Sequence, residues 1–188
     1  MLIANQNRTE PKGIVNDSLI ARIAADDRSA LETLYTETRS AVYGFILSII
    51  RNPHTAEDIM QETYIQVYVC APGYRAKGKP MAWIFTIARN LSLMKLREKS
   101  ASDLPLEMAT LRGSDGPESA LDRMVLDLAL THLGEQERQI IMLHDVAGLK
   151  HREIAEILSL PLPTVLSKYH RALSKLKKLV KEDMRDGL

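Results

Sequence analysis

Apolar residues recur at every third or fourth position along most of the chain, whereas short alternating runs bounded by turn residues are missing. This pattern predicts an all-α protein. In the first hundred residues it predicts four helices, over about Asp17–Ala25, Arg28–Ile50, Thr55–Cys70 and Met81–Lys99. After residue 117 it predicts four more, over about Glu118–His132, Glu135–Val146, His151–Leu158 and Thr164–Lys181.

The sequence also predicts the buried face of the second helix, the start of the third helix and the loop that follows it. The second has an apolar stripe that is expected to face the core, formed by Leu31, Leu34, Tyr35, Val42, Phe45, Ile46 and Ile49. The third is predicted to begin at Thr55, because a hydroxyl followed by two acids fits a capping-box-like pattern and acids favour the positive end of a helix. Residues 71–80 hold two glycines and two prolines and are predicted to form a loop.

Residues 101–117 interrupt the helical pattern with Ser, Pro, Gly and Asp and show no apolar period. We interpret them as a flexible linker between two small helical domains, residues 1–100 and 118–188.

The longest apolar run, Ala41–Ile50, is shorter than the ~18 residues of a membrane span. The first residues lack the apolar stretch of a secretory signal. We therefore expect a cytoplasmic protein without membrane insertion.

The composition argues against several kinds of site. The chain has a single cysteine, Cys70, so it has no intramolecular disulfide and no CxxC metal knuckle. Its five histidines show no HExxH or other metal-ligand spacing, and neither a glycine-rich phosphate loop nor a GxSxG motif is present. We therefore expect no metal, no cofactor and no catalytic residue, and an enzyme is the least supported class of function.

The most informative segment, Gly148–Val180, is typical of a helix-turn-helix. Small Ala155 and apolar Val165 lie ten residues apart, where they set the crossing of the two helices, and Ser159 stands at the turn position that usually holds glycine. Six basic residues and no acid lie between positions 164 and 181. A solvated basic face is the plain alternative, but in a helix-turn-helix such a face indicates phosphate neutralisation.

Residues expected to contact duplex DNA lie near the start of that second helix. Those expected at base edges are Thr164, Leu166, Ser167, Lys168 and Arg171. Leu166 offers only an apolar contact, to a thymine methyl group or a sugar edge. His170 is expected to donate to a phosphate, and Lys175 belongs to the same basic face.

Aromatic and basic residues are also interleaved in the first half of the chain. Between Ala71 and Lys99 there are seven basic residues and one acid, with Tyr74 and Trp83 among them. Unstacked bases need ring faces while their backbone needs cations, so this segment suits a single nucleic-acid strand. For Trp83, packing in the core of the domain explains the residue as well as contact with a base does.

Three stretches in this order carry a family resemblance: AEDIMQETYIQVY over residues 56–68, AWIFTIARNLSLMKLREK over residues 82–99, and the helix-turn-helix. Together they resemble the extracytoplasmic function (ECF) group of sigma-70 family factors, over about residues 17–179. The resemblance implies a transcription initiation factor without covalent chemistry of its own, in which domain 2, a linker and domain 4 follow one another. The implied partners are the RNA polymerase core (the β′ clamp helices and the β flap), promoter DNA and an anti-sigma factor.

The resemblance also implies roles for particular residues. Those implied to bind core polymerase are Asp58, Gln61 and Glu62, with helix capping as an equal explanation for Asp58. Those implied to recognise and melt the minus 10 element are Tyr74, Arg75, Lys77, Lys79, Trp83, Arg89 and Asn90. The minus 35 element would be read by the helix that begins at Thr164. The chain departs from the family pattern at Met81, where an aromatic residue is frequent, and in the turn Leu162–Ser167, where Leu166 replaces a common lysine. The loss of that lysine points to an unusual or a weak minus 35 preference.

One alternative is a conventional helix-turn-helix regulator that binds DNA without polymerase. In such a regulator the first half of the chain would need a receiver domain with a parallel sheet, or a ligand cavity.

The net charge of +1 does not argue against binding of nucleic acid. Residues 1–100 hold 13 basic and 10 acidic groups, residues 101–132 hold 2 and 6, and residues 133–188 hold 10 and 8. DNA responds to local charge within a Debye length of about 8 to 10 Å, so two separated basic segments fit two promoter elements.

Overall fold

A computed structural model describes residues 15–101 and 131–186, with side chains described to residue 99 and to residue 179. Within these ranges the backbone is helical with short connections and contains no strand, which confirms the all-α prediction. The predicted linker beyond residue 101 and most of the predicted helix Glu118–His132 lie outside the described residues. No helix in the described part of the chain is long and apolar enough to cross a membrane.

The first unit, residues 15–101, consists of four helices and one short turn. The helices are α1 (Asp17–Ala24), α2 (Arg28–Ile50), α3 (Pro53–Cys70) and α4 (Pro80–Ala101), with a 3₁₀ turn over Ala71–Gly73 between α3 and α4. The bounds of α1, α2 and α4 agree with the predicted ones to within two residues.

Side-chain oxygens that accept backbone N–H groups fix the start of the first three helices. These N-caps of α1, α2 and α3 are Asn16, Asp27 and Asn52. The prediction that Thr55 caps α3 is wrong: Asn52 Oδ1 accepts from the backbone N–H of Thr55 at 2.9 Å. Pro53 occupies the first helical position, where the N–H that proline lacks has no partner within the helix.

The core of the first unit forms between α2, α3 and α4. Phe45 of α2 and Phe85 of α4 pack edge to face with their ring centroids 5.3 Å apart. Of the predicted stripe on α2, the buried members are Leu34, Val42, Phe45, Ile46 and Ile49, and the half-buried ones are Leu31 and Tyr35. The helical period therefore identified the buried face of α2.

One polar pair lies within this core, between α2 and α3. The hydroxyl of Thr38 donates to Leu34 O at 2.7 Å, so its proton is used and Tyr64 must be the donor in the 2.7 Å bond between the two hydroxyls. Burial raises the pKa of Tyr64, so the phenol keeps the proton that it donates.

The second unit, residues 131–186, contains three helices after Gly134. They are α5 (Glu135–Ile141), which continues into a π-helical segment (Met142–Val146), α6 (His151–Leu158) and α7 (Leu162–Asp186). The predicted bounds of α6 are confirmed. The α7 helix begins two residues earlier than predicted, because Pro163 lies in its first turn, where proline is tolerated.

The two units share one apolar cluster. Met142 and Ile157 of the second unit are 1% and 4% exposed within the same cluster as the core of the first unit. At Gly44 of α2, a Cβ atom would lie 2.6 Å from Met142 Cε, so the missing side chain permits this approach. Arg138 of α5, 7% exposed, donates through Nε to Ser48 O at 3.3 Å. The sequence pattern did not predict this packing of one unit on the other.

Candidate nucleic-acid interface

The loop before α4 and the first turns of α4 form a cleft on the first unit. Five of the seven residues predicted to contact the minus 10 element line this cavity of about 340 Å³, namely Tyr74, Arg75, Lys77, Lys79 and Trp83. Arg89 and Asn90 do not line the cavity, because they lie further along α4. The structure therefore brings the aromatic and basic residues of the loop together around one concave surface.

Asp17, the first residue of α1, holds the loop in place. One of its carboxylate oxygens accepts the hydroxyl of Tyr74 at 2.6 Å and the other accepts the backbone N–H of Gly78 at 2.7 Å. Burial and then the bond to Asp17 raise the pKa of Tyr74 to about 12, so the phenol remains a donor. The rings of Tyr74 and Trp83 lie 4.7 Å apart at an angle of 48°. Sequence reasoning missed Asp17, since it lies 57 residues before Tyr74.

The cations of the cleft differ in their surroundings. Arg75, Lys77 and Lys79 are exposed, and Lys79 Nζ lies 3.4 Å from each carboxylate oxygen of Glu156 in α6. The half-buried Arg89 donates to Leu158 O, also in α6, at 3.5 Å. The far wall of the cleft therefore comes from the second unit, which no sequence signal could indicate.

A second surface runs along the outer face of α3. Asp58 and Gln61 are exposed, and Glu62 is half-buried and accepts from Gln66. Since Asn52 caps this helix and Asp58 lies in its second turn, capping does not explain Asp58. The same face continues at helical spacing with two apolar residues that sequence reasoning missed, Ile65 and Val69, which are 55% and 62% exposed. Their helical spacing from Asp58 and Gln61 was the feature of the sequence that could have identified them as part of this face.

The predicted helix-turn-helix is formed by α6, residues 159–161 and α7. Ser159 ends α6 in the left-handed conformation, with φ 54° and ψ 44°, at the position where glycine is usual. Val165, fully buried, and Ala155, half-buried, belong to the same apolar cluster. These contacts fix α7 against α6 and leave the opposite face of α7 to solvent.

The predicted minus 35 residues lie on the first four turns of α7. The exposed ones are Leu166, Ser167, His170, Arg171 and Lys175, and the half-buried ones are Thr164 and Lys168. Leu166, 38% exposed, is an apolar group within a basic surface. Arg171 Nε donates to Ser167 O at 3.3 Å, one turn earlier, which directs its side chain back toward the start of the helix.

Lys175 is engaged within the second unit. Its Nζ lies 2.7 Å from Glu137 Oε2, and the same oxygen accepts the backbone N–H of Gly134 at 3.1 Å. Burial alone would raise the pKa of Glu137, but the bonds from Lys175 and Gly134 outweigh it and lower that pKa. The positive charge of Lys175 is therefore compensated before any DNA is bound.

A cluster of rings supports α7 from behind. The imidazoles of His144 and His151 lie 4.1 Å apart, and the ring of Tyr169 packs edge-on against both. In the part of the chain that the structure describes, the buried Nε2 of His151 has no hydrogen-bond partner. Burial and then the nearby His144 lower the pKa of His151. Residues 15–101 and 131–186 contain no group of three or more His, Cys, Asp or Glu side chains that could hold a metal ion.

Comparison with known sequences gives two family matches in chain order. Residues 34–102 match Sigma-70 region 2, and residues 123–176 match Sigma-70, region 4. The ECF RNA polymerase sigma factor SigK of Mycobacterium sp. (strain KMS) is 31% identical over 171 residues, which cover 86% of this chain and 88% of that protein. SigK of Mycobacterium bovis (strain BCG / Pasteur 1173P2) is 29% identical over 174 residues, 86% of this chain and 91% of that protein.

Solved structures share the fold. CnrH, in a complex with the cytosolic domain of CnrY, is 20% identical with a TM-score of 0.63, and the match covers 89% of this chain and 97% of that one. RpoE of Bartonella quintana, in a complex with the anti-sigma factor NepR, is 21% identical with a TM-score of 0.64, covering 80% of this chain and 96% of that one. The helical arrangement described above therefore occurs in other proteins of low sequence identity.

Proposed function

Because this chain belongs to the ECF group of the sigma-70 family of RNA polymerase sigma factors, we propose that it is a transcription initiation factor, which binds bacterial core polymerase and directs it to promoters. One observation carries the proposal: a single chain presents a recognition helix with a basic outer face and, on another unit, an aromatic and basic cleft. The first suits duplex DNA and the second suits a separated strand, which are the two forms of DNA at an opening promoter.

Core polymerase binds the outer face of α3. Asp58, Gln61 and Glu62 supply polar contacts to the β′ clamp helices, and Ile65 and Val69 supply the apolar centre of the contact. Exposed apolar side chains beside acids are typical of a protein interface, because burying them on binding provides affinity while the acids set orientation.

The cleft of the first unit recognises the minus 10 element and assists strand opening. The tilted rings of Tyr74 and Trp83 offer a stacking surface for an unpaired base, and Arg75, Lys77 and Lys79 neutralise the phosphates beside it. Arg89 and Asn90 extend this surface along α4. Because Asp17 fixes the loop, little ordering of the protein is required when the strand binds.

The minus 35 element is read by the first turns of α7 in the major groove. Thr164, Ser167, Lys168 and Arg171 are the polar contacts, His170 contacts a phosphate, and Leu166 meets an apolar edge such as a thymine methyl group. Lys175 faces the phosphates with its charge largely compensated by Glu137. In this position the second unit also contacts the β flap of polymerase.

Further features of the proposal follow from the family. The protein works by binding alone, without covalent chemistry, in the cytoplasm where polymerase is found. An anti-sigma factor that covers the polymerase and DNA surfaces is a further partner. RpoE of Bartonella quintana, which shares this fold, was solved with such a factor.

The proposal is tested by reconstitution. Core polymerase from the same bacterium is combined with this protein on promoters identified by mapping transcript starts after overexpression, and short abortive RNAs are measured. We expect initiation that depends on the protein. An absence of core binding at micromolar concentration would contradict the proposal, and duplex DNA binding without polymerase would then favour a conventional helix-turn-helix regulator.

A pair of variants tests the polymerase-binding face separately. Val69→Asp places a charge in the proposed apolar centre and should weaken core binding about tenfold or more, as loss of a central interface residue does. Met94→Asp is the matched control, because Met94 is 52% exposed on α4 and outside the proposed contact. Equal core affinities of the two variants would show that α3 is not the binding face.

A further inference from the structure

The ring cluster of His144, His151 and Tyr169 joins three elements of the second unit. His144 lies in the π-helical segment, His151 is the first residue of α6, and Tyr169 lies in α7. The two imidazoles are 4.1 Å apart, and the ring of Tyr169 lies 4.7 Å from His144 and 4.8 Å from His151. Lys168 and His170, both proposed to contact DNA, flank Tyr169 in the chain. The ring cluster therefore holds α7 at the turn that carries these two DNA contacts.

Hydrogen bonds indicate where the protons of the ring cluster lie. His144 Nδ1 is 2.8 Å from Leu149 O, and because a carbonyl oxygen only accepts, this nitrogen carries a proton. The hydroxyl of Tyr169 donates to Asp145 Oδ1 at 3.1 Å. Nε2 of His151 is buried and has no hydrogen-bond partner among the described residues. A buried polar atom without a partner costs stability and is rare in folded proteins, so a specific role for this imidazole is expected.

The arrangement disfavours a protonated His151 for three structural reasons. Both nitrogens of an imidazolium are donors, so Nε2–H would have no acceptor. The charge would lie against the ring of His144, and at the first residue of α6, where the helix dipole is positive. Burial and then the nearby His144 accordingly lower the pKa of His151 below its ordinary value of 6.5. The ring cluster is therefore most stable above pH 6.5 and loses stability as the pH falls toward the pKa of the folded protein.

The charged and titratable groups around His151 belong to the same three elements. Besides the other two rings of the cluster they are Asp145 of the π-helical segment, Lys150, Arg152 and Glu153 at the start of α6, and His170 of α7. Asp145 favours the protonated form of His151, whereas His170 opposes it. Glu153 accepts from the backbone N–H of Lys150 at 2.8 Å, but Asp145 is exposed and can turn toward an imidazolium. A proton on His151 thus sets His151 in competition with Tyr169 for the carboxylate of Asp145.

We propose that the ring cluster is a pH-sensitive switch for α7: protonation of His151 attracts Asp145 away from Tyr169 and loosens α7, so that binding to promoter DNA weakens in acid. The inference rests on the proposed function, because it takes α7 to be the helix that reads the minus 35 element. A loosened α7 no longer holds Lys168 and His170 in place for the DNA. The protein therefore loses affinity for its promoters when the interior of the cell becomes acidic.

Two substitutions change the switch in different ways. His151→Asn keeps a polar side chain and removes the titrating ring. Asp145→Asn keeps an oxygen that can accept from Tyr169 and removes the charge that favours a protonated His151. His132→Gln is the control, because His132 is an exposed histidine of the same unit that does not belong to the ring cluster.

Binding and protonation are measured separately. Fluorescence anisotropy with labelled promoter DNA gives the affinity of holoenzyme assembled from each protein, between about pH 8 and 5.5, where histidines titrate. Each variant is compared with wild type at the same pH, so that the effects of pH on polymerase and on His170 cancel in the ratio. NMR of the free protein follows the ring protons of His151 and Tyr169 without polymerase or DNA.

We expect the affinity of wild type relative to His151→Asn to fall about threefold or more between about pH 7.5 and 5.5, since a shift of one pKa unit corresponds to a factor of ten. The fall should begin at a lower pH in Asp145→Asn, and His132→Gln should follow wild type. In the NMR titration, the ring protons of Tyr169 should change their chemical shifts with the same midpoint as those of His151.

Other results would overturn the switch. A relative affinity that rises in acid would show that the new charge on His151 merely attracts phosphates, and an unchanged one would show that its proton has no effect on DNA binding. Tyr169 shifts that do not follow His151 would overturn it as well, and this test needs no variant to fold. Failure of every holoenzyme to bind a promoter at any pH would instead contradict the proposed function, and the NMR titration would still decide on the switch.

Discussion

The ion pair between Glu137 and Lys175 decides how much of the basic face of α7 is available to DNA. Glu137 Oε2 accepts from Lys175 Nζ at 2.7 Å and from the backbone N–H of Gly134 at 3.1 Å, so it caps α5 and binds α7 at once. Glu137→Gln keeps the shape of the side chain and removes its charge. It should lower stability and at the same time release Lys175 for phosphate.

The size of the stability loss follows from the exposure of the two side chains. A hydrogen bond to a charged group contributes about 1.5 to 3 kcal/mol, and an exposed ion pair about 0.2 to 1 kcal/mol. Glu137 is 10% exposed, but Lys175 is 50% exposed, so the pair lies between these limits. We expect Glu137→Gln to lower the free energy of unfolding by about 1 kcal/mol, and Tm by about 2 to 4 °C.

The loss should depend on pH in a defined direction. The pKa of Glu137 in the folded protein is below its ordinary value of 4.5, so the unfolded chain takes up this proton first as the pH falls. The contribution of the carboxylate is therefore complete above about pH 5 and is lost as the pH falls through the folded pKa. Urea unfolding should show a difference between wild type and Glu137→Gln at pH 7 that becomes smaller as the pH is lowered below 4.5.

DNA binding gives an independent measure of the same pair. Once Lys175 is released, log K for duplex minus 35 DNA should fall more steeply with log salt, by about one unit of slope. Glu135→Gln, at the exposed first residue of α5, is the control for lost charge. A stability difference that does not change as the pH is lowered below 4.5, together with an unchanged salt slope, would refute this account of Lys175.

Three further variants test the described contacts by urea or thermal unfolding. Tyr64→Phe should cost about 1 kcal/mol and Thr38→Val about 2 kcal/mol, because only the second leaves a buried donor unpaired, and the double variant should cost less than the sum. Asn52→Ala should cost about 1 kcal/mol through loss of the cap of α3, whereas Thr55→Ala should cost little; a reversed order would restore the capping prediction from the sequence. His151→Asn should flatten the fall in stability between about pH 7 and 5, because burial lowers the pKa of His151 and the unfolded chain is protonated first.

The helices that the sequence predicted well are those with two clear ends. α2 lies between the cap Asp27 and Arg51, which adopts the left-handed conformation, and its apolar period is unbroken. The start of α3 was predicted two residues late, because the prediction left Pro53 between the two helices. A proline after a helix also suits the first turn of the next helix, and the pattern alone does not distinguish these positions.

The cleft was predictable where its residues are neighbours in the chain. Tyr74, Lys77 and Lys79 belong to one loop, so their composition indicated the site. Asp17 and Glu156 were not predictable, because they lie 57 and 77 residues from the groups that they contact, Tyr74 and Lys79. Such contacts depend on which helices pack together, and a periodic pattern gives the buried face of a helix without its partner.

Counting cations in the sequence therefore overestimates the charge that these surfaces offer to DNA. Lys79 and Lys175, one in each proposed binding surface, both lie against glutamates, Glu156 and Glu137. A phosphate that displaces either glutamate replaces an existing ion pair with a new one. Each of these lysines therefore contributes less to DNA affinity than a lysine without an ion-pair partner would. The two pairs differ in position: the exposed Lys79 pair joins the two units, whereas the Lys175 pair lies within the second unit.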